Sequence, residues 1–110
     1  MQNITIGSKF WIEKDGQFFL GKGRVELLKA VRQTGSISAA AKTMNMSYKK
    51  AWESIDAMNA LADQPLVERT TGGKGGGGTV VTKEGEKAIQ LYEQLIKNST
   101  EFVESETLSI

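Results

Sequence analysis

The stretch from Gly35 to Thr82 constrains the fold more than any other part of the chain. Ser38 is suited to cap a helix over Ala39-Ala-Ala-Lys-Thr-Met44, and Ser47 to cap another that begins at Tyr48. In both cases a serine oxygen can accept from an amide that has no partner within the first turn. The two caps leave room for a helix of about two turns and then a very short connection, with Asn45 available for the left-handed conformation that ends the first helix. Helices joined this tightly pack at a steep angle. The alanine run lets a neighbouring helix approach closely, with Ala40, Ala41 and Met44 facing it. In the following helix Ala51, Ile55 and Met58 recur at helical spacing and form the stripe that turns inward. Tyr48, Lys49, Trp52, Glu53 and Asp56 are left outside.

Gln64-Pro65 ends the helical pattern. Leu66-Val-Glu-Arg69 and Thr79-Val-Val-Thr82 read as two short strands, and between them lies Thr70-Thr-Gly-Gly-Lys-Gly-Gly-Gly-Gly78, with six glycines among nine residues. Ordering such a run costs much backbone entropy. Its bare amides can nevertheless come very close to a phosphate, and Lys74 adds charge. A plain flexible linker is the competing reading. A nucleotide-binding loop is not, because Lys74 precedes most of the glycines where that motif needs it after them.

The rest of the chain frames this unit. Ile4, Ile6, Phe10 and Ile12 alternate loosely, Asp15-Gly16 signals a turn, and Gln17-Phe-Phe-Leu20 returns, so residues 4–20 are expected to form a β-hairpin. Trp11 falls on the face opposite Phe10 and Ile12, either covering a helix or facing a partner subunit. Leu27, Leu28 and Val31, edged by Val25 and Ala30, predict a helix over 24–34, and Gly35 sits where a C-terminal glycine belongs. The next helices are expected over 38–45 and 47–61, and the hairpin with the glycine tip over 66–82. Thr82 is placed to cap a last helix over 83–105. Its stripe runs through Ala88, Leu91, Tyr92, Leu95, Ser99 and Phe102, widened by Ile89, Ile96 and Val103. That apolar surface exceeds what so small a domain can cover, which points to a second subunit. The tail from Glu101 to Ile110 is expected to fray.

Composition removes several chemistries. The 110 residues include no Cys and no His, so disulfides, thiolate or imidazole metal sites and Ser-His triads are unavailable to the chain. The carboxylates are scattered, with no base or metal partner in view, so no enzymatic activity and no cofactor are expected. No apolar run is long enough to span a bilayer and no signal peptide opens the chain, so no membrane partner and a cytoplasmic location are expected. Net charge is only +1, but it is unevenly placed: residues 1–83 hold 12 Lys and Arg against 7 Asp and Glu, whereas residues 84–110 hold 2 against 6. A basic body with an acidic end suits a protein that turns one face toward phosphates.

The fold class is therefore α+β, mainly α: a single winged helix-turn-helix over residues 1–110, with an N-terminal β-hairpin and a long C-terminal helix. Tyr48 and Trp52 are neighbours four residues apart on one helix face. They stand beside Lys49 and Lys50 at an end that carries partial positive charge. Flat side chains and donors in that place are what major-groove contact asks for. The competing reading has Trp52 completing the core and the lysines merely solvated.

Gly35-Ser-Ile-Ser38, Ser47-Tyr-Lys-Lys-Ala-Trp52, Met58-Asn59 and the run from Leu66 to Gly78 together resemble the N-terminal DNA-binding domain of the ModE molybdate-responsive transcription regulators. More distantly the chain is similar to the LysR-type winged-helix domain. The resemblance extends from about Val25 to Leu95. It implies that the helix of Ser47, Tyr48, Lys49, Lys50 and Trp52 lies in the major groove of double-stranded DNA. It also implies that Arg69, Thr70, Thr71, Gly72, Gly73, Lys74 and Gly75 touch the backbone or minor groove. A homodimer on a palindromic site is the expected assembly, through the C-terminal helix with the N-terminal hairpin as a further contact. The regulators in question carry molybdate-binding domains after this one, and no segment here matches them. The expectation is a transcription regulator of this type without those domains, or a DNA-binding subunit acting with a separate effector protein. A protein-interaction module is the alternative, since winged helices also serve as docking surfaces.

Overall fold

The computed structural model describes residues 3–71 and 78–108. Two short antiparallel hairpins flank four helices: β1 (Ile12–Lys14), β2 (Gln17–Leu20), α1 (Lys22–Thr34), α2 (Ile37–Thr43), α3 (Tyr48–Leu61), β3 (Val67–Thr70), β4 (Gly78–Val81) and α4 (Lys83–Ser105). The hairpins form separate two-stranded sheets.

Local chemistry explains most of the punctuation. Asp15 and Gly16 both take positive φ, 52° and 74°, as a tight primed turn between twisted strands requires. The hairpin is shorter than the 4–20 expected. Its first strand begins at Ile12, which pairs with Leu20, and the chain turns into α1 directly afterwards. Residues before Ile12 thus have no strand to pair with, and Ile4, Ile6, Phe10 and Trp11 are exposed. The alternation there does not form a buried face.

Gly35 ends α1 at φ 73°, its N–H bonded to the carbonyl of Val31 at 2.8 Å. The cap of α2 is Ser36, not Ser38: Ser36 Oγ accepts from the Ala39 amide at 3.1 Å. Starting the helix at Ile37 turns that side chain into the core, where it is 8% exposed; a start at Ser38 would leave it outside the helix. The end also falls earlier than residue 45. Asn45, at φ 54°, closes a Schellman turn in which Met46 N–H donates to Ala41 at 2.9 Å and Asn45 N–H to Lys42 at 3.1 Å. Ser47 caps α3 through the Lys50 amide, and Thr82 caps α4 through that of Gly85, each at 3.1 Å.

Leu20, Leu27, Leu28, Val31, Met58 and Ile89 are the largest side chains fully withdrawn from solvent. Each contributes about 1.5–3 kcal/mol by burial. They come from β2, α1, α3 and α4, so one core joins the first hairpin to every long helix. α4 buries Gly85, Ala88, Ile89 and Tyr92. Leu91, expected in the stripe, is 57% exposed instead. α4 is rotated so that Ala88, Ile89 and Tyr92 meet the core, which leaves Leu91 at the mouth of a shallow cleft between the first hairpin and the end of α3. Two ion pairs, Arg32 with Glu86 and Lys29 with Glu93, both 2.8 Å, brace α4 along α1. Farther along, Phe102 is 64% exposed.

Candidate nucleic-acid interface

α3 presents two faces with opposite tasks. Ala51, Ile55 and Met58 are buried against the other helices. A quarter-turn away, Tyr48 and Trp52 are 49% and 44% exposed, so neither completes the core. Ser47 caps the Lys50 amide, and the first turn of α3 carries the partial positive charge of a helix amino end. Ser47, Lys49 and Lys50 are also exposed. Lys49 lies 3.8 Å from Glu53, but its side chain is 88% exposed, and such a pair is too weak and too screened to hold the ammonium back from a phosphate.

The stem of the second hairpin stands alongside. β3 and β4 pair in register from Val67 with Val81 to Thr70 with Gly78. The Gly78 amide donates to Thr70 Oγ1 at 2.9 Å, closing the stem at its outer end. Arg69, Thr70 and Thr71 are exposed. Gly72, Gly73, Lys74 and Gly75, singled out from the sequence, lie outside the described residues.

The tertiary structure brings Tyr48 and Trp52 beside the stem, while Ser47, Lys49 and Lys50 line neither of the grooves between α3 and the stem. A cleft of about 480 Å³ opens there, lined by Gly35, Ser36 and Ser38 at the start of α2, by Tyr48 on α3, and by Arg69, Thr70 and Thr71 on the stem. Its walls offer a guanidinium, three hydroxyl types and backbone amides, which together suit the phosphodiester backbone. A smaller groove of about 100 Å³ runs on between α3 and β3, past Trp52, Asp56, Asn59, Glu68 and Arg69. Its carboxylates are Asp56, one turn beyond Trp52 on α3, and Glu68, beside Arg69 on β3, so the positive bias of the ridge is concentrated at Lys49 and Lys50. Tyr48 and Trp52 both stay open to solvent.

Sequence reasoning missed three contributors. Ser36 and Ser38 line the cleft together, whereas cap spacing assigns a role to Ser38 alone, as a cap. Thr79 is the sole buried polar side chain among the described residues, at 8% exposure, at the foot of the same cleft. Asn59 joins α3 to β3 through its amide; no spacing rule signals that, because its partners come from a different element.

Residues 23–86 match the family described as bacterial regulatory helix-turn-helix protein, lysR family. The transcriptional regulator ModE of Yersinia pestis is 52% identical over 79 residues, covering 72% of this chain and 30% of that protein. The DNA-binding transcriptional dual regulator ModE of Escherichia coli K12 is 51% identical over 79 residues, with the same coverage of 72% and 30%. The chain thus spans about 30% of the length of these curated relatives. A crystal structure of a LysR family transcriptional regulator shares the fold with a TM-score of 0.55 at 23% identity, covering 70% of this chain and 25% of that one.

Proposed function

Because the chain belongs to the lysR family of bacterial regulatory helix-turn-helix proteins, we propose that it is a transcription regulator that binds double-stranded DNA with sequence preference. The observation that carries this reading is the open ridge of Tyr48 and Trp52, with Lys49 and Lys50 at the amino end of α3, beside the paired strands β3 and β4. In the proposed complex the first turns of α3 lie in the major groove. Tyr48 and Trp52 meet base edges and sugars, while Ser47, Lys49 and Lys50 set the depth and register on the phosphates. Arg69, Thr70 and Thr71, with Gly72, Gly73, Lys74 and Gly75 beyond them, touch the backbone or minor groove.

The reading includes a homodimer. Leu91 and Phe102 on α4, together with Phe10, Trp11 and Phe18 before α1, are large apolar side chains left exposed. A second copy packed on the α4 end would cover part of that surface. A two-fold dimer implies a palindromic site with half-sites about one helical turn apart, or a multiple of it. The likeness to the ModE regulators supports a regulator of that type, with any effector bound by another domain or protein. Cytoplasmic residence follows from this role, and among the described residues no helix is long and apolar enough to cross a membrane. The reading requires no enzymatic step.

Selection of bound duplexes from a random pool at defined salt tests all of this at once. A symmetric consensus is the expected result. Failure to retain any duplex at low salt would favour the alternative, a protein-docking module, for which the exposed Leu91 is the specific observation.

A further inference from the structure

The stem of the second hairpin is fastened to the helix-turn-helix on both of its strands. On the β4 side, Thr79 N–H donates to the Gly35 carbonyl at 3.0 Å. On the β3 side, beyond the burial of Val67, the hydrogen-bonded tie to α3 among the described residues is a single side chain. Asn59 Oδ1 accepts from the amides of Leu66 at 2.8 Å and Val67 at 3.3 Å, and its Nδ2 donates to the Val67 carbonyl at 3.0 Å. Asn59 lies on the same helix as Tyr48 and Trp52, and Val67 lies two residues before Arg69.

The connection from α3 to β3 has no regular structure to set its angle, and Pro65 within it has no N–H to give. A planar group with an acceptor and a donor on a short stem can grip one residue's N–H and C=O at once. The carboxylate of Asp lacks the donor, and the longer arm of Gln moves the amide away from the strand. A separate anchor holds the stem to α4: Thr82 Oγ1 donates to the Pro65 carbonyl at 2.6 Å, and Thr82 N–H donates to Leu66 at 3.0 Å. The stem therefore keeps a support that does not involve α3.

We propose that Asn59 is a positioning residue for DNA: it holds Arg69 and the β3 strand that carries it at a fixed angle to α3, so that α3 and Arg69 engage one duplex together. The role rests on the DNA reading above. It predicts that Asn59 affects binding through Arg69 and its strand, rather than through base discrimination.

The test is a double-mutant cycle on the full chain. Dissociation constants for the selected duplex and for an unrelated one are measured against salt for the unaltered chain, Asn59→Ala, Arg69→Ala and the double variant. Asn59→Ala is expected to weaken both duplexes by the same factor, roughly tenfold, and to lower the salt slope by about one. In the Arg69→Ala background that factor falls below about twofold. Equal factors in the two backgrounds overturn the proposal. Should Asn59→Ala melt below the assay temperature, Asn59→Asp keeps the accepting oxygens, loses the donor, and is read by the same ratio. If the unaltered chain binds no duplex, the DNA reading falls and this role with it. If it binds but shows no coupling, only this role falls.

Discussion

The amide of Thr79 donates to the carbonyl of Gly35 at 3.0 Å, so the residue that stops α1 also holds a strand of the second hairpin. Gly35 can do both because φ 73° turns its carbonyl away from the helix axis. A Cβ at this position would meet nothing within 4 Å. Gly35→Ala should therefore cost only the left-handed backbone strain, about 1–2 kcal/mol, and Gly35→Asn less. Urea denaturation would reveal it; an unchanged midpoint would contradict the strain.

Gly85 invites the opposite mistake. It lies inside α4, where Gly→Ala ordinarily stabilises by about 1 kcal/mol. Here the added methyl would press into the Leu66 carbonyl and a methyl of Val81. Gly85→Ala should instead destabilise by about 1–3 kcal/mol, as a lower thermal midpoint. A raised midpoint would mean that the junction between α4 and the hairpin yields easily.

Tyr48 and Lys74 should fail differently in binding assays. Tyr48→Ala is expected to narrow the gap between the selected duplex and unrelated DNA by about 1–3 kcal/mol. Lys74→Ala should weaken every duplex about equally and flatten the salt dependence by about one counterion. A loss confined to the selected site for Lys74→Ala, or intact discrimination for Tyr48→Ala, would reverse these assignments.

Phe102, 64% exposed near the end of α4, makes the proposed homodimer testable without disturbing the core. Phe102→Glu should shift the chain toward monomer in sedimentation while changing the stability of the monomer, measured at dilution where neither chain associates, by less than about 0.5 kcal/mol. A dimer that persists unchanged would place the subunit contact elsewhere.

Asp63 tests the tie between the first hairpin and the end of α3. Lys14 Nζ reaches its carboxylate at 2.8 Å. That hydrogen bond first, and the charge of Lys14 second, hold the Asp63 pKa below its ordinary value. The folded value is depressed, so the contribution to stability is present above the unfolded pKa and disappears as pH falls through the folded one. The window is acidic, and neutral pH lies outside it. An NMR titration of the carboxyl carbon should find a midpoint below that of an unperturbed Asp, moving upward in Lys14→Ala. Identical midpoints would show that the pair does not persist in solution. Because Asp63 is fully open to solvent, the effect on global stability is expected to be small.

What the chain order alone determined is the set of features decided within a few residues. Gly35, Asn45 and the Asp15-Gly16 pair demand positive φ, Ser47 and Thr82 satisfy amides three residues on, and the spacing of Ala51, Ile55 and Met58 selects one helix face. From these the exposure of Tyr48 and Trp52 follows, because a helix that buries one stripe must show the other. The tertiary structure alone decided what depends on distant chain. Ser36 prevails over Ser38 because the core has a place for Ile37. The first strand starts late because its partner ends at Leu20, and Leu91 turns outward because Ala88, Ile89 and Tyr92 are the side chains of α4 that the core takes in. Asn59 acquires its partners only once β3 is laid beside α3. Local rules concern bonds within one turn, whereas these outcomes depend on which surfaces from remote segments meet.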